Sequence, residues 1–172
     1  KDQKNEMEEG IKRKRIIGRE AEKRFAGVLG SKLIKVVSGI RRCGKSVLAY
    51  RMLQGKKFAY LNFDDERLTG IDSDGILSAF YEIYGKDFEF IFIDEIQNME
   101  NWELFVNRLH RAGFNLFITG SNAKLLSKEL ATRLTGRHLT IELFPFSFRE
   151  FLEANEFHED IGTTRGISLI KK

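Results

Sequence analysis

The chain has 172 residues, 42% of them apolar, and 29 lysines and arginines against 25 aspartates and glutamates, a formal charge of +4. This describes one folded domain that buries roughly 70% of its unfolded surface, and it excludes disorder throughout. The single cysteine, Cys43, excludes an intramolecular disulfide and a CxxC metal pattern, no run approaches the roughly 18 apolar residues of a membrane span, and the charged amino terminus lacks the form of a signal peptide, so the expected location is cytoplasmic.

The charge is uneven. Residues 1–24 hold nine basic and six acidic side chains, +3, which leaves +1 for residues 25–172. Residues 1–15 therefore read as a charged, solvated tail ending in the basic block Lys12-Arg13-Lys14-Arg15. With no aromatic residue between these charges to stack on bases, the block supports at most a weak, salt-sensitive nucleic-acid contact.

From there the pattern alternates short apolar runs with longer amphipathic stretches, which predicts an α/β fold around a parallel sheet. In chain order the expected elements are a helix near 19–28, a strand at 33–38, a glycine-bearing loop, a helix at 45–54, a strand at 57–63, and a helix at 74–84 capped by Asp72-Ser73-Asp74. A third strand, Phe88 to Ile93, is the most hydrophobic run and is expected to be central and covered on both faces. A helix at 101–112, a strand at 115–119, a helical segment at 122–135, a strand at 138–143 and a helix at 147–155 complete the core, which spans 16–156 and leaves 157–172 as a weakly patterned tail. Phe144, Phe146, Phe148 and Phe151 cluster around Pro145 and are expected to pack into the core.

Gly39-Ile40-Arg41-Arg42-Cys43-Gly44-Lys45-Ser46 matches GxxxxGK[ST] between a predicted strand and a predicted helix, the context in which that spacing forms a phosphate-binding loop. The two glycines let successive N–H groups turn inward onto phosphate oxygens, and the next helix adds its positive end. Lys45 then reaches the β- and γ-phosphates, and the Ser46 hydroxyl ligates Mg²⁺. Phe90-Ile91-Phe92-Ile93-Asp94-Glu95 is an apolar strand ending in two carboxylates, which the sheet sets at its carboxyl edge. Asp94 suits magnesium and Glu95 suits activation of the attacking water.

No base-reading NKxD-type motif follows a late strand, which favours ATP over GTP. Ile118-Thr119-Gly120-Ser121-Asn122 brings Ser121 or Asn122 toward the γ-phosphate, and Arg133 or Arg137 beside Gly136 suits an arginine finger on a neighbouring subunit. Cys43, inside the loop and ahead of Lys45 and a helix start, has surroundings that favour thiolate. His110, His138 and His158 are scattered without ligand spacing, so no zinc site is expected.

Together GIRRCGKS, FIFIDEIQNMENWE, FITGSNAKLLSKELATRLTGR and PFSFREF resemble the bacterial and archaeal AAA-type P-loop ATPases that carry an Arg-Arg pair in the phosphate loop, a DEIQ box, a TGS turn and an LTGR segment. The resemblance covers roughly residues 16–153. It implies a three-layer α/β/α sandwich with a parallel five-stranded sheet in the order 5-1-4-3-2, and ATP with Mg²⁺ as ligands. By the same resemblance Gly39, Ile40, Arg41, Arg42, Cys43, Gly44, Lys45, Ser46 and Val47 hold phosphate. Asp94 and Glu95 form the magnesium and water-activating pair, Ser121 and Asn122 stand at the sensor position, and Arg137 acts in trans within a homo-oligomer. Ile16 and Ile17 match the short segment that packs on adenine. The lid and C-terminal region of such proteins are expected to be absent from these 172 residues. The leading expectation is an ATPase, with a non-hydrolysing ATP-dependent switch as the alternative and a small-molecule kinase ranked last.

Overall fold

The computed structural model describes residues 1–13, 15–121, 134 and 136–156. In chain order these form α1 (Asp2–Lys12), α2 (Glu22–Ala26), β1 (Ile34–Ser38), α3 (Lys45–Leu53), β2 (Phe58–Asn62), α4 (Ser73–Tyr84), β3 (Phe90–Asp94), α5 (Trp102–Arg111), β4 (Asn115–Gly120), β5 (His138–Glu142) and α6 (Phe148–Ala154). Short 3-10 turns at Glu66–Leu68 and Ile96–Asn98 follow β2 and β3. The expected helix at 122–135 apart from Leu134, the tail at 157–172, Lys14, Asn122, Arg133 and His158 fall outside the described residues.

The five strands form one sheet in the order β2-β3-β4-β1-β5, and every pairing is parallel. Read from the β5 side this is the 5-1-4-3-2 order expected from the sequence. All five residues of β1 and of β3 are buried, as strands covered on both faces must be. One face carries Ile34, Val36, Ile91, Ile93, Leu116 and Ile118 beneath Phe80 of α4 and Trp102, Phe105 and Leu109 of α5. The opposite face packs Val37, Phe58, Phe92 and Phe117 against Phe25 of α2 and Leu48 and Leu53 of α3. The result is three layers, helix on sheet on helix.

The structure departs from the sequence expectation in three places. First, residues 2–12, read as part of a solvated tail, form a helix on the free edge of β2. The Gln3 amide accepts from Asn62 N at 3.1 Å and donates to Asn62 O at 3.2 Å, while Lys4 Nζ donates to Phe58 O at 2.9 Å and lies 3.7 Å from the centre of the Phe58 ring. An edge strand presents unpaired backbone groups, and here side chains take the place of a sixth strand. Second, α2 is confined to Glu22–Ala26, because the chain turns at Gly27. Third, Phe144, Phe146, Phe148 and Phe151 are not core residues; each is roughly half or more exposed. Periodicity signalled burial, but Phe144 and Phe146 lie on the segment between β5 and α6, and Phe148 and Phe151 on the exposed side of α6.

Candidate functional site

A parallel sheet sends every strand's carboxyl end to the same edge, so the loops after β1, β3 and β4 meet there. The loop after β1 turns at Gly39, where a Cβ would collide with the Leu143 carbonyl oxygen and stand 3.1 Å from Cys43 Sγ. Only glycine allows the loop to lie this close to the segment leaving β5, which is itself fixed by the Leu143 N–H donating to Ser38 O at 2.7 Å. Gly44, at φ 98°, then opens α3. Lys45 is the first residue of that helix and is almost wholly buried; its Nζ donates to Ile40 O at 3.1 Å and stands 3.6 Å from Glu95 Oε1.

The end of β3 supplies the acids. Asp94 is buried and held from two sides: Thr119 Oγ1 donates to Oδ1 and Tyr60 Oη donates to Oδ2 at 3.2 Å. Burial pushes its carboxyl above the ordinary value, with the Glu95 charge adding to the rise and the hydroxyls of Ser46, Thr119 and Tyr60 opposing it. The same burial, with Asp94 beside it, drives the Tyr60 phenol far up, so Tyr60 remains a donor.

Glu95 follows in the left-handed region at φ 50° and ψ 48°, uncommon for a residue with a Cβ. Its N–H donates to Thr119 Oγ1 at 3.2 Å, which fixes the turn. Its Oε2 accepts from Gln97 Nε2 at 2.7 Å and from Ser121 N at 3.2 Å, and Gln97 Nε2 also reaches Ser121 Oγ at 3.2 Å. Burial alone raises the Glu95 carboxyl, but Gln97, the Lys45 charge and Ser121 outweigh it and hold the group below its usual range.

Beside the loop lies a cavity of about 370 Å³ lined by Ile16, Ile17, Arg19, Ile40, Val47 and Phe146 among others. Arg41, Arg42, Cys43 and Gly44 complete its loop side. Arg41 also reaches outward to Asp64 at 3.2 Å, an exposed ion pair. Cys43 is buried with its carbonyl engaged by Arg19.

The structure thus brings together Lys45, Ser46, Asp94, Glu95 and Ser121, and sets Ile16, Ile17 and Val47 at the adjoining cavity. Arg137 is elsewhere. Its carbonyl accepts from Ile34 N at the amino end of β1, and four strand steps, roughly 13 Å, separate that level from the phosphate loop. It is exposed, with Nη1 3.5 Å from Asn107 Oδ1, and cannot serve its own loop. Sequence reasoning assigned no role to Tyr60, Gln97, Thr119 or Arg19. Gln97 and Thr119 sat within quoted motifs, whereas nothing local marks Tyr60, which reaches Asp94 only because β2 pairs with β3.

This geometry defines a phosphate-loop nucleotide-binding α/β domain. A family model described as an AAA domain matches residues 31–152, and the chain belongs to that family, a nucleotide-binding class of ATPase type. An uncharacterized protein of Methanocaldococcus jannaschii is 44% identical over 129 residues, covering 73% of this chain and 29% of that protein. An uncharacterized protein of Haemophilus influenzae is 45% identical over 134 residues, covering 70% of this chain and 33% of that protein. The chain therefore spans about a third of the length of the curated relatives it matches. The crystal structure of domain III from the Thermotoga maritima replication initiation protein DnaA aligns over 81% of this chain and 69% of that chain, at 18% identity and a TM-score of 0.49. No helix among the described residues is long and apolar enough to cross a membrane.

Proposed function

We propose that the chain binds Mg-ATP and hydrolyses it to ADP and phosphate, driving a change in conformation or assembly. The observation that carries this reading is the buried Lys45 side chain facing Glu95 across a glycine-shaped loop, 3.6 Å apart, with the buried Asp94 at the end of β3 beside them. An arriving polyphosphate gives Lys45 a stronger partner and releases Glu95 Oε1. Glu95, deprotonated at neutral pH, accepts a proton from water as that oxygen attacks the γ-phosphorus and the bond to the bridging oxygen breaks. Gln97 and Ser121 hold the other carboxylate oxygen, which fixes the orientation of the base.

Among the described residues no cluster of three or more His, Cys, Asp or Glu could hold a metal ion. One buried carboxylate and one hydroxyl, Asp94 and Ser46, suit Mg²⁺, which takes its remaining ligands from phosphate and water. When bound, the ion neutralises charge on the β- and γ-oxygens. The cavity of Ile16, Ile17, Val47 and Phe146 suits a flat apolar base, and among the described residues no Asp, Glu, Asn or Gln lines it to read guanine, which favours ATP. Arg137 acts on a neighbour's nucleotide in this reading, so full turnover requires a homo-oligomer.

A second reading, an ATP-dependent switch without turnover, is favoured by the distance of Arg137 from its own loop. Phosphate release measured across a protein-concentration series, with Glu95→Gln as control, separates the two. Specific activity that rises with concentration, and drops about 100-fold or more in the variant while ATP still binds, supports hydrolysis. Bound ATP retained unhydrolysed by both proteins supports the switch.

A further inference from the structure

Arg19 is only 8% exposed, yet it touches no acidic end of a strand and points into backbone. Nη1 donates to the Cys43 carbonyl at 2.8 Å and Nη2 donates to the Phe144 carbonyl at 2.7 Å, while the guanidinium carbon lies 4.9 Å from the centre of the Phe146 ring. Nε stands 3.0 Å from Glu150 Oε1 but out of line for a hydrogen bond, so that contact is an ion pair. Glu150 in turn accepts the N–H of Glu20 at 2.9 Å and of Ser147 at 2.8 Å, the latter closing the capping box that starts α6. Burial raises the Glu150 carboxyl, but these two N–H groups and Arg19 hold it below its usual range. Three segments far apart in the chain, one before β1, the phosphate loop and α6, thus share one buried cation.

The contact with Cys43 O acts on the loop. Every described peptide is trans, and in a planar trans peptide the carbonyl and the following N–H point in opposite directions. Holding Cys43 O on Arg19 therefore turns the Gly44 N–H to the far side of the loop strand, and the guanidinium charge polarises that peptide and strengthens its N–H as a donor. Gly44 leaves room for this approach, since a Cβ there would stand 3.3 Å from Arg19 Nη1.

We propose that Arg19 is a positioning residue that presets the phosphate loop through the Cys43–Gly44 peptide, and that through Glu150 it couples nucleotide occupancy to the seating of α6. This inference rests on the nucleotide-binding reading above and names a regulation of the same site. Linkage makes the coupling reciprocal: whatever lifts α6 from Arg19 weakens the nucleotide, and nucleotide binding tightens α6 by the same factor.

The test titrates ADP calorimetrically into the 172-residue chain and its Arg19→Lys and Glu150→Gln variants, and follows amide exchange over 148–154 with and without ADP. Arg19→Lys keeps the charge but loses the planar fork, and is expected to weaken ADP about tenfold. Glu150→Gln is expected to weaken it about threefold. Saturating ADP slows exchange in α6 of the wild type and leaves α6 of Arg19→Lys unchanged. A lower unfolding midpoint with wild-type ADP affinity would mark the arginine as structural only and overturn the inference. Unaltered α6 exchange on ADP binding by the wild type would overturn it equally, and that measurement decides even if Arg19→Lys does not fold. A wild-type chain that binds no ADP would instead overturn the nucleotide reading itself.

Discussion

Two buried lysines stand at opposite ends of β1, and they are held differently. Lys35, at the amino end, is fully buried; its Nζ donates to the Ser31 carbonyl and lies 5.9 Å from the centre of the Phe90 ring. Burial, with the Lys32 charge adding to it, brings its amine down to about 8. Lys45, beyond the carboxyl end, faces the Glu95 carboxylate as well as a carbonyl. A lysine whose partner is neutral backbone carries a charge the fold must tolerate. One whose partner is a carboxylate holds a charge that a ligand can take over. Loops converge only at the carboxyl edge of a parallel sheet, which is why the acids gather around Lys45 and not around Lys35.

The same substitution at both positions is the most direct way to break this contrast. Lys45→Met is expected to weaken ADP and ATP at least about 100-fold by calorimetry, through loss of a charge-assisted contact and an unpaired Glu95. Affinity within threefold of the wild type would erase the distinction between the two lysines. Lys35→Met is expected to leave nucleotide affinity unchanged and to raise the unfolding midpoint at pH 7. The sign follows from linkage. An amine whose folded value lies below the ordinary value of about 10.4 favours its neutral form in the fold, so stability is lost as pH falls from there through about 8. The gain from Lys35→Met should therefore be largest at pH 7 and shrink by pH 10; a gain independent of pH would assign it to packing instead.

The smallest effect expected sharpens the carboxyl edge alone. Gln97 is the foremost of the groups holding the Glu95 carboxyl below its usual range. Gln97→Ala should raise that value and move the acid limb of the kcat/KM profile upward, by less than about one pH unit, because Lys45 and Ser121 remain. A depressed carboxylate stabilises the fold above its ordinary value and loses that contribution as pH falls through the folded one, so the variant should also gain less stability between pH 3 and pH 6. An unmoved acid limb would remove Gln97 from the orientation of the base.

The chain by itself determined the parallel α/β class and the neighbourhood of the phosphate loop, while the strand order came only with the family resemblance. The class and the loop are written in contiguous residues: a glycine spacing that only one turn satisfies, an apolar run long enough to be a buried strand, and carboxylates at its end. Gly39 to Ser46 and Asp94-Glu95 were legible for that reason. Tertiary structure alone decided the rest. Glu20 meets Glu150 across 130 residues, Tyr60 finds Asp94 across 34, and Gln3 caps Asn62 across 59. The exposure of the four phenylalanines near Pro145 and the placement of Arg137 on the far edge belong with these. Such contacts have no local sequence pattern, because they depend on which strands pair and which loops share an edge, and that is settled only when the whole sheet closes around its core.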